Sequence, residues 1–359
     1  MAKVLMKGNE AIGEAAIRAG CLNYFAYPIT PQSEVAEYLS RRMPEVGGMF
    51  LQGESEVAVS YMLFGASACG ARVFTSSSSP GISLMSEGIS YIAGAECPVV
   101  FINIMRGGPG LGGILPSQAD YFQATKGGGH GDYRLLVMAP ASVQEAVEMV
   151  MISFSLAEKY RNPVMLLGDG LIGQMMEPVE FPDNLASEPS NKDEWATSGM
   201  DTRGTDKRNL VKSLFLDSVK LNEHNLLLKA KYDRMKQEEV RYEPYNIESD
   251  YKVLVVSYGT MSRVCKTAID NMKEEGFEVA MIRPQTLFPF PEEAVNKAAS
   301  KESCRVVISI EMSMGQMVED VERCVKGKLP VEWYGKCGGD IPTPEEVIDS
   351  VKSFYKEYI

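Results

Sequence analysis

The sequence is poor in the residues from which metal sites and disulfide frameworks are built. Its 359 residues include seven cysteines and two histidines, and no two cysteines are spaced as Cys-x-x-Cys. Iron–sulfur ligation, structural zinc and a disulfide framework all need closely spaced or paired thiols, so none of them is expected in this chain. With only His130 and His224 available, a site made of several histidines is almost excluded.

Positive charge and long apolar runs are also scarce. Lys and Arg number 36 against 48 Asp and Glu, which gives a net charge of −12. A chain this acidic is a poor non-specific ligand for nucleic acid, whose phosphates need a basic surface. No apolar run approaches the ~20 residues of a membrane-spanning helix, and the N-terminus lacks a signal-peptide apolar core. We therefore expect a cytoplasmic protein that binds neither nucleic acid nor membrane.

What the sequence does contain is an α/β pattern in three parts. Residues 1–182 alternate apolar strands with helical segments, as in a parallel sheet covered on both faces. Residues 183–249 are polar and turn-rich and then charged, and they predict a linker with amphipathic helices. Residues 250–359 predict a second, smaller α/β domain. The long helix predicted over 209–240 has an apolar stripe of Leu210, Leu214, Leu221 and Leu228.

The loops that follow predicted strands are the candidate sites, because parallel α/β sheets bind ligands at the carboxyl ends of their strands. In Tyr27-Pro-Ile-Thr-Pro31, two prolines stiffen the loop that presents the Thr30 hydroxyl; a simple helix N-cap is the alternative. Glu54 and Glu56 lie where the next loop enters a small-residue helix. A carboxylate there could hold a protonated ring nitrogen or relay protons, or only favour the helix N-terminus.

Two further strand ends carry polar groups. The run Thr75-Ser-Ser-Ser-Ser-Pro-Gly81, with Ser77 and Ser78 at its centre, offers hydroxyls and backbone N–H groups either to an anion or to a helix cap. Arg106 could clamp a carboxylate through its bidentate guanidinium, or form a surface ion pair. The glycines after it formally match GxGxxG, but Pro116 interrupts the helix that should follow, so we reject a dinucleotide site.

Two glycine-containing segments are more ambiguous. Lys126-Gly-Gly-Gly-His-Gly-Asp132 could form a mobile loop with His130 as an acid or base, and a plain surface loop is an equal alternative. Gly168-Asp-Gly170 has the form of the magnesium- and diphosphate-binding motif of thiamine enzymes. No Asn-Asn pair follows it at the expected distance, and Asn191 stands alone, so we interpret the segment as structural.

Taken in order, these loops resemble those of the 2-oxoacid:ferredoxin oxidoreductases, which include pyruvate:ferredoxin oxidoreductase. The pattern is most similar to the pyrimidine-binding, alpha-type subunits of the 2-oxoisovalerate (3-methyl-2-oxobutanoate) enzymes, with 2-oxoglutarate enzymes as close relatives. From Tyr251 onward the chain resembles the family's transketolase-C-terminal-like domain, including Glu311-Met-Ser-Met-Gly-Gln316. The remaining matching segments are Lys7–Ala11, Tyr27–Pro31, Ser55-Glu56, Thr75–Gly81, Met105–Gly112, Lys126–Arg134 and Gly173–Pro178.

This resemblance implies a fold and a shared cofactor. A pyrimidine-binding domain of the thiamine-diphosphate-binding fold would occupy residues 1–182. Thiamine diphosphate would lie between it and a separate diphosphate-binding subunit, with Glu56 hydrogen-bonded to the aminopyrimidine ring. Thr30 and Arg106 match the residues that bind the carbonyl and carboxylate region of the 2-oxoacid. Ser77 and Ser78 are further cofactor-binding candidates, His130 is a further substrate-binding candidate, and no metal ligand is expected in this chain.

The implied reaction is the oxidative decarboxylation of a 2-oxoacid to acyl-CoA and CO2, with coenzyme A as co-substrate and ferredoxin as electron acceptor. Mg²⁺ and iron–sulfur clusters would belong to partner subunits of beta, gamma and ferredoxin-like type. Three alternatives stay open: a pyruvate or 2-oxoglutarate enzyme, a non-catalytic assembly subunit, and a self-contained transketolase-like enzyme. A 2-oxoglutarate enzyme needs a second cation, for which the candidates are Lys126, His130 and Arg134.

Overall fold

The computed structural model describes residues 3–182, 190–197 and 208–359 of the chain. The N-terminal part contains strands β1 (Val4–Lys7), β2 (Asn23–Ala26), β3 (Met49–Gln52), β4 (Phe74–Ser77), β5 (Val100–Met105), β6 (Leu136–Met138), β7 (Val164–Asp169) and β8 (Met176–Val179). Its helices are α1 (Gly8–Arg18), α2 (Ser33–Glu45), α3 (Glu56–Ala68), α4 (Ser79–Gly94), α5 (Tyr121–Lys126), α6 (Val143–Tyr160) and α7 (Gly170–Gln174).

Helix α8 (Ser218–Glu238) connects this part to a second group of strands and helices. The strands are β9 (Tyr242–Tyr245), β10 (Val253–Val256), β11 (Val279–Pro284), β12 (Thr286–Phe288), β13 (Val306–Glu311) and β14 (Val331–Gly335). The helices are α9 (Met261–Glu274), α10 (Glu292–Ala299), α11 (Met317–Val325) and α12 (Pro344–Tyr358). Among the described residues, no helix is both long and apolar enough to cross a membrane.

The first sheet has the strand order β12-β6-β7-β5-β4-β2-β3. Its strands are parallel except for β12, which pairs antiparallel with β6. Helices cover both faces, so a central strand such as β5 is buried along its whole length and reads as a nearly continuous apolar run. Because β12 comes from beyond residue 250, the downstream part of the chain contributes one strand to this sheet.

The second sheet has the order β14-β13-β10-β11-β9, again parallel except for one edge strand, β9. One of its apolar cores is shared with the first sheet, since Leu254 and Tyr258 belong to the same buried cluster as Phe101 and Leu167. The two α/β units are thus packed together through a common core, which holds the strand ends of both in a fixed relation.

The linker differs from the expectation in two respects. Strand β9, which lies within the predicted linker 183–249, is an edge strand of the second sheet, because it pairs with β11. The helix predicted over 209–240 begins only at Ser218, because the Asp217 side chain accepts from the N–H groups of Val219 and Lys220 and caps the helix there. Leu210 and Leu214 therefore precede the helix, and they are 75% and 67% exposed. The predicted leucine stripe is wrong at this end. Residues 183–189 and 198–207 of the predicted linker lie outside the described residues.

Candidate active site

The loops selected from the sequence meet at the carboxyl edge of the first sheet. Strands β2, β4 and β5 are parallel, and their ends lead to Thr30, to the serine run and to Arg106. Helix α3 begins beside them at Glu56, where the Ser55 hydroxyl accepts from Ala58 N at 3.2 Å and caps the helix. The parallel register places Ser77 opposite Asn103.

Glu56 is the most unusual group at this edge. Its side chain is buried, with the residue only 5% exposed, and its carboxylate makes no hydrogen bond to any described residue. Helix α4 passes directly against it at Gly81. A Cβ there would overlap Ser77 Oγ and come within 2.7 Å of Glu56 Oε1, so only glycine permits this approach. Burying a carboxylate without a hydrogen-bond partner costs free energy. The arrangement therefore indicates a binding site whose ligand would pair with Glu56.

Two serine hydroxyls beside Glu56 are also unpaired. Ser77 and Ser78 are fully buried, and neither Oγ has a hydrogen-bond partner among the residues that the structure describes. Ser78 occupies the N-cap position of α4 without making a capping bond. Buried polar groups are nearly always hydrogen-bonded. A carboxylate and two hydroxyls within an apolar core suit a flat heterocycle, whose faces are apolar and whose edges form hydrogen bonds.

Arg106 and Thr30 lie in contact, but the contact is made by the backbone carbonyl of Thr30 and not by its hydroxyl. Arg106 is 7% exposed, and its guanidinium donates to Thr30 O at 2.9 Å and to Leu111 O at 3.1 Å. Its Nε is buried and has no hydrogen-bond partner in the described part of the chain. Thr30 itself is exposed and lines a cavity of about 710 Å³ together with Pro31, Pro116 and others. The arginine is thus held in place by carbonyls while part of its charge stays uncompensated.

The sequence did not single out two polar residues of this edge, Asn103 and Asp120. Asp120 Oδ2 accepts from Ser79 Oγ at 2.6 Å and from Asn103 Nδ2 at 2.8 Å. Burial raises the pKa of Asp120, and those two hydrogen bonds oppose the rise. Asn103 Oδ1 has no partner. A lone amide inside the apolar strand Val100–Met105 was a usable signal for Asn103, whereas nothing local marked Asp120.

The glycine-rich segment around His130 lies elsewhere. The exposed His130 ring packs edge-on against Tyr91, with the ring centroids 6.4 Å apart. Tyr91 lies 12 residues after Ser79 in α4, or about 18 Å along the helix axis. Lys126 Nζ pairs with Asp320 at 2.6 Å, and Arg134 donates to Lys126 O at 2.8 Å. Within this chain, these three residues are not assembled with Arg106, and a substrate-binding role for His130 stays a prediction.

The Gly168-Asp-Gly170 segment has a structural use, as the sequence interpretation proposed. Asp169 is 1% exposed; its Oδ1 accepts from Leu171 N and Ile172 N, and its Oδ2 accepts from Thr260 Oγ1 at 2.5 Å. Burial raises its pKa, and these hydrogen bonds counteract the rise. In the part of the chain that the structure describes, no group of three or more His, Cys, Asp or Glu side chains could hold a metal ion.

Comparison with protein families gives two matches that together span most of the chain. Residues 14–243 match the family described as pyruvate flavodoxin/ferredoxin oxidoreductase, thiamine diphosphate-binding. Residues 252–347 match core domain II of pyruvate:ferredoxin oxidoreductase. The first match includes every strand end described above, and the second includes the strands of the downstream sheet except β9.

Individual relatives agree with these matches. The chain is 48% identical to the ketoisovalerate oxidoreductase subunit VorB of Methanothermobacter thermautotrophicus, over 98% of each protein. It superposes with a TM-score of 0.85 and 27% identity on 2-oxoglutarate:ferredoxin oxidoreductase from Magnetococcus marinus, solved with 2-oxoglutarate, coenzyme A and succinyl-CoA bound. That alignment covers 98% of this chain and 65% of the solved one. A split-gene transketolase, at a TM-score of 0.62 and 15% identity over 97% of each chain, shares the fold.

Proposed function

This chain belongs to the 2-oxoacid:ferredoxin oxidoreductase family, and we propose that it binds the aminopyrimidine ring of thiamine diphosphate and the carboxylate of a branched-chain 2-oxoacid. The observation that carries the proposal is Glu56, which is 5% exposed and has no hydrogen bond to any described residue, at the same sheet edge as the Ser77 and Ser78 hydroxyls, which also have no partner among the described residues. These groups fit an aminopyrimidine, which offers a ring nitrogen and an amino group at its edges. When bound, thiamine diphosphate supplies the carbon nucleophile and the electron sink for decarboxylation of a 2-oxoacid.

Glu56 holds the proton at the ring nitrogen. Its position at the start of α3, against Gly81, fixes the carboxylate where a ring edge can enter between α3 and the first turn of α4. The residue is only 5% exposed, and in such low-dielectric surroundings a hydrogen bond from a protonated ring nitrogen to the carboxylate is stronger than in water. The hydroxyls of Ser77 and Ser78 would then find hydrogen-bond partners at the edge of the same ring.

Arg106 binds the carboxylate of the 2-oxoacid. Its guanidinium is anchored to Thr30 O and Leu111 O, so it is already oriented before substrate arrives. The unpaired Nε gives it a donor to spare. Thr30, exposed beside it at the cavity, presents its hydroxyl to the neighbouring carbonyl of the substrate.

We propose 2-oxoisovalerate as the preferred substrate. The 48% identity to a ketoisovalerate oxidoreductase subunit exceeds the 38% identity to the 2-oxoglutarate synthase subunit KorA of Archaeoglobus fulgidus. A 2-oxoglutarate enzyme needs a second cation near Arg106, but Lys126 and Arg134 are engaged with Asp320 and a backbone carbonyl elsewhere on the chain. Coenzyme A, bound in the solved 2-oxoglutarate enzyme, is proposed as the co-substrate here.

The surface of α3 favours a partner subunit over the site. Its exposed positions Val57, Tyr61 and Gly65, and the exposed C-cap residue Cys69, recur every fourth residue and carry no charge. Gly65 has nothing within 4 Å of the place where a Cβ would stand. An exposed helix-interior glycine costs about 1 kcal/mol relative to alanine, and close approach of another chain would explain its presence.

We propose that a beta-type, diphosphate-binding subunit covers this surface and brings Mg²⁺ with it. Gamma-type and ferredoxin-like subunits would carry the iron–sulfur clusters and pass electrons to ferredoxin. The cytoplasmic location expected from the sequence stays a prediction.

The test is reconstitution. The purified chain alone should reduce no viologen dye with 2-oxoacid, thiamine diphosphate, Mg²⁺ and coenzyme A. The complex with its partner subunits should do so, fastest with 2-oxoisovalerate when compared with pyruvate and 2-oxoglutarate. Appreciable turnover by the isolated chain would contradict the shared site, and a preference for 2-oxoglutarate would contradict the substrate.

A further inference from the structure

A chain of hydrogen bonds reaches the backbone of Arg106 through a carboxylate that the proposed function leaves without a role. Asp120 stands in the N-cap position of α5, where an aspartate commonly accepts a bond from its own helix. Its side chain makes no such bond. Oδ2 instead accepts from Ser79 Oγ and Asn103 Nδ2. The carboxylate is therefore directed to the strand ends of the site and away from α5.

The Ser79 hydroxyl transmits this contact to Arg106. A hydroxyl has a single proton, and the short distance of 2.6 Å assigns it to Asp120. The Ser79 oxygen is then free to accept from the backbone N–H of Arg106, 3.1 Å away. Without the carboxylate, the Ser79 side chain would lose the bond that fixes its rotamer, and its oxygen would hold the Arg106 N–H less firmly. The Arg106 carbonyl oxygen, 3.4 Å away, would then be the remaining acceptor for the hydroxyl proton.

The second domain holds Asp120 in place through Gln118. This glutamine is fully buried. Its amide side chain donates to Tyr258 O at 2.9 Å and accepts from Met312 N at 2.9 Å. Its backbone N–H donates to Met312 O at 2.8 Å, and its carbonyl accepts from Tyr258 Oη at 3.2 Å. Four bonds to two residues that follow strands β10 and β13 of the downstream sheet fix the chain two positions before Asp120.

Gln316 bonds to the chain both before and after Asp120. Its side chain donates to Ala119 O at 2.7 Å and accepts from Phe122 N at 2.9 Å. The Glu311 carboxylate shapes the turn that carries Gln316, since it accepts from Gln316 N at 3.0 Å. Through Gln316, the segment Glu311–Gln316 thus bonds to the residue before Asp120 and to the residue two positions after it.

We propose that Asp120 is a positioning residue for Arg106, and that the second domain sets its position through Gln118 and Gln316. The inference rests on the proposed role of Arg106 in binding the 2-oxoacid carboxylate. It assigns the downstream domain a part in substrate binding: the domain fixes the loop that orients the arginine, although it supplies no group that touches the substrate.

The first test does not depend on the reaction. Hydrogen exchange followed by mass spectrometry on the full chain reports whether the Arg106 amide keeps its acceptor. In Asp120→Ala, this amide should exchange at least about tenfold faster than in the wild type. In Asp120→Asn, whose amide oxygen can replace Oδ2 as acceptor, exchange should stay close to wild type. Amides of β7 should be unaffected in both variants.

The second test measures the consequence for substrate in the reconstituted complex. Asp120→Ala should raise the KM for 2-oxoisovalerate about tenfold while kcat changes by less than about threefold. Asp120→Asn should restore most of the affinity. Gln316→Ala should move the Arg106 exchange rate and KM in the same direction, by a smaller factor.

Asp270→Ala is the matched control, because Asp270 also accepts from a hydroxyl, that of Tyr245, at 2.5 Å, on the surface of the second domain. It should change neither Arg106 exchange nor KM. Wild-type Arg106 exchange in Asp120→Ala would overturn the inference, as would an unchanged KM despite faster exchange. If the wild-type complex turns over no 2-oxoacid, the proposed function fails, while the exchange experiment still decides whether Asp120 orients Arg106.

Discussion

Two buried glutamates lie at the strand ends of the two sheets, and their surroundings are opposite. Glu56, beside the first sheet, has no hydrogen-bond partner among the described residues. Glu311, at the end of β13, accepts from five donors: Ser309 Oγ, Ser313 Oγ, Gln316 N, Met317 N and Val318 N. Glutamate therefore has a different role at each of these two positions. A saturated carboxylate holds the fold together, whereas an unpaired one is available to a ligand.

Glu56→Gln should give the largest effect. Turnover of the reconstituted complex should fall about 100- to 1,000-fold, because an amide cannot hold a proton at the ring nitrogen. The melting temperature of the chain should stay the same or rise, since removal of an unpaired buried charge costs the fold nothing. Dye reduction and thermal melting measure the two quantities. Near-normal turnover would move the role elsewhere, first to the exposed Glu54.

Glu311→Gln should destabilise the fold, whereas Glu56→Gln should not. Its amide nitrogen would face at least one of the donors that the carboxylate now accepts, and each buried donor left unpaired costs ~1–3 kcal/mol. We expect a loss of about 3 kcal/mol in the free energy of unfolding. Chemical denaturation of the isolated chain measures it. A variant as stable as the wild type would remove the contrast with Glu56.

Glu158 extends the comparison to pH. Burial opposes its ionisation, but the bidentate Arg72 pair at 2.9 Å, the Ser190 N–H and Lys192 outweigh it and lower the pKa to about 2. The folded-state pKa lies below the unfolded value, so this carboxylate stabilises the fold above about pH 4.5, and the contribution is lost as pH falls toward 2.

The wild-type chain should therefore lose about 2 kcal/mol of unfolding free energy to this residue between pH 6 and pH 3. Glu158→Gln, although less stable at pH 6, should show a correspondingly flatter pH dependence. Denaturation curves at several pH values provide the measurement. Parallel pH profiles for the two proteins would show that the Arg72 pair does not stabilise the fold in this way.

Gly65→Ala should give the smallest effect. It distinguishes the stability of the isolated chain from its association with the partner subunit. Alanine in the exposed interior of α3 should stabilise the isolated chain by up to about 1 kcal/mol. The added methyl group should at the same time weaken association with the partner subunit that we place on this surface. Melting of the free chain and analytical ultracentrifugation of the mixture test both parts. Undiminished association would argue against a close contact at Gly65.

The parts of the site that the sequence revealed are those with a local signal. Glu56 and Arg106 follow apolar strands, where a charged residue stands out, and parallel pairing brings such strand ends to one edge. Asp120 could not be found in this way, because its partners Ser79 and Asn103 are 41 and 17 residues away along the chain. Its importance arises only from tertiary contact.

The same holds for the fold: elements with a local sequence signal were predictable, and those that depend on tertiary contacts were not. The sequence pattern of residues 142–160 predicts a helix, and helix α6 has 18 residues, Val143–Tyr160, with Ser142 as its N-cap. Strand β12 has three residues and joins β6, with Thr286 opposite Met138, and no pattern that short identifies a partner in another domain. Leu210 and Leu214 continue the periodicity of α8 by chance, since the Asp217 cap decides where the helix begins.

Calorimetric titration of thiamine diphosphate with Mg²⁺ tests the central claim most directly. It is performed on this chain alone, on the diphosphate-binding partner alone, and on their mixture. We predict negligible binding to either chain and one site per chain in the mixture, with affinity reduced in the mixture that contains Glu56→Gln. Stoichiometric binding to this chain alone, or equal affinity with and without Glu56, would contradict the account.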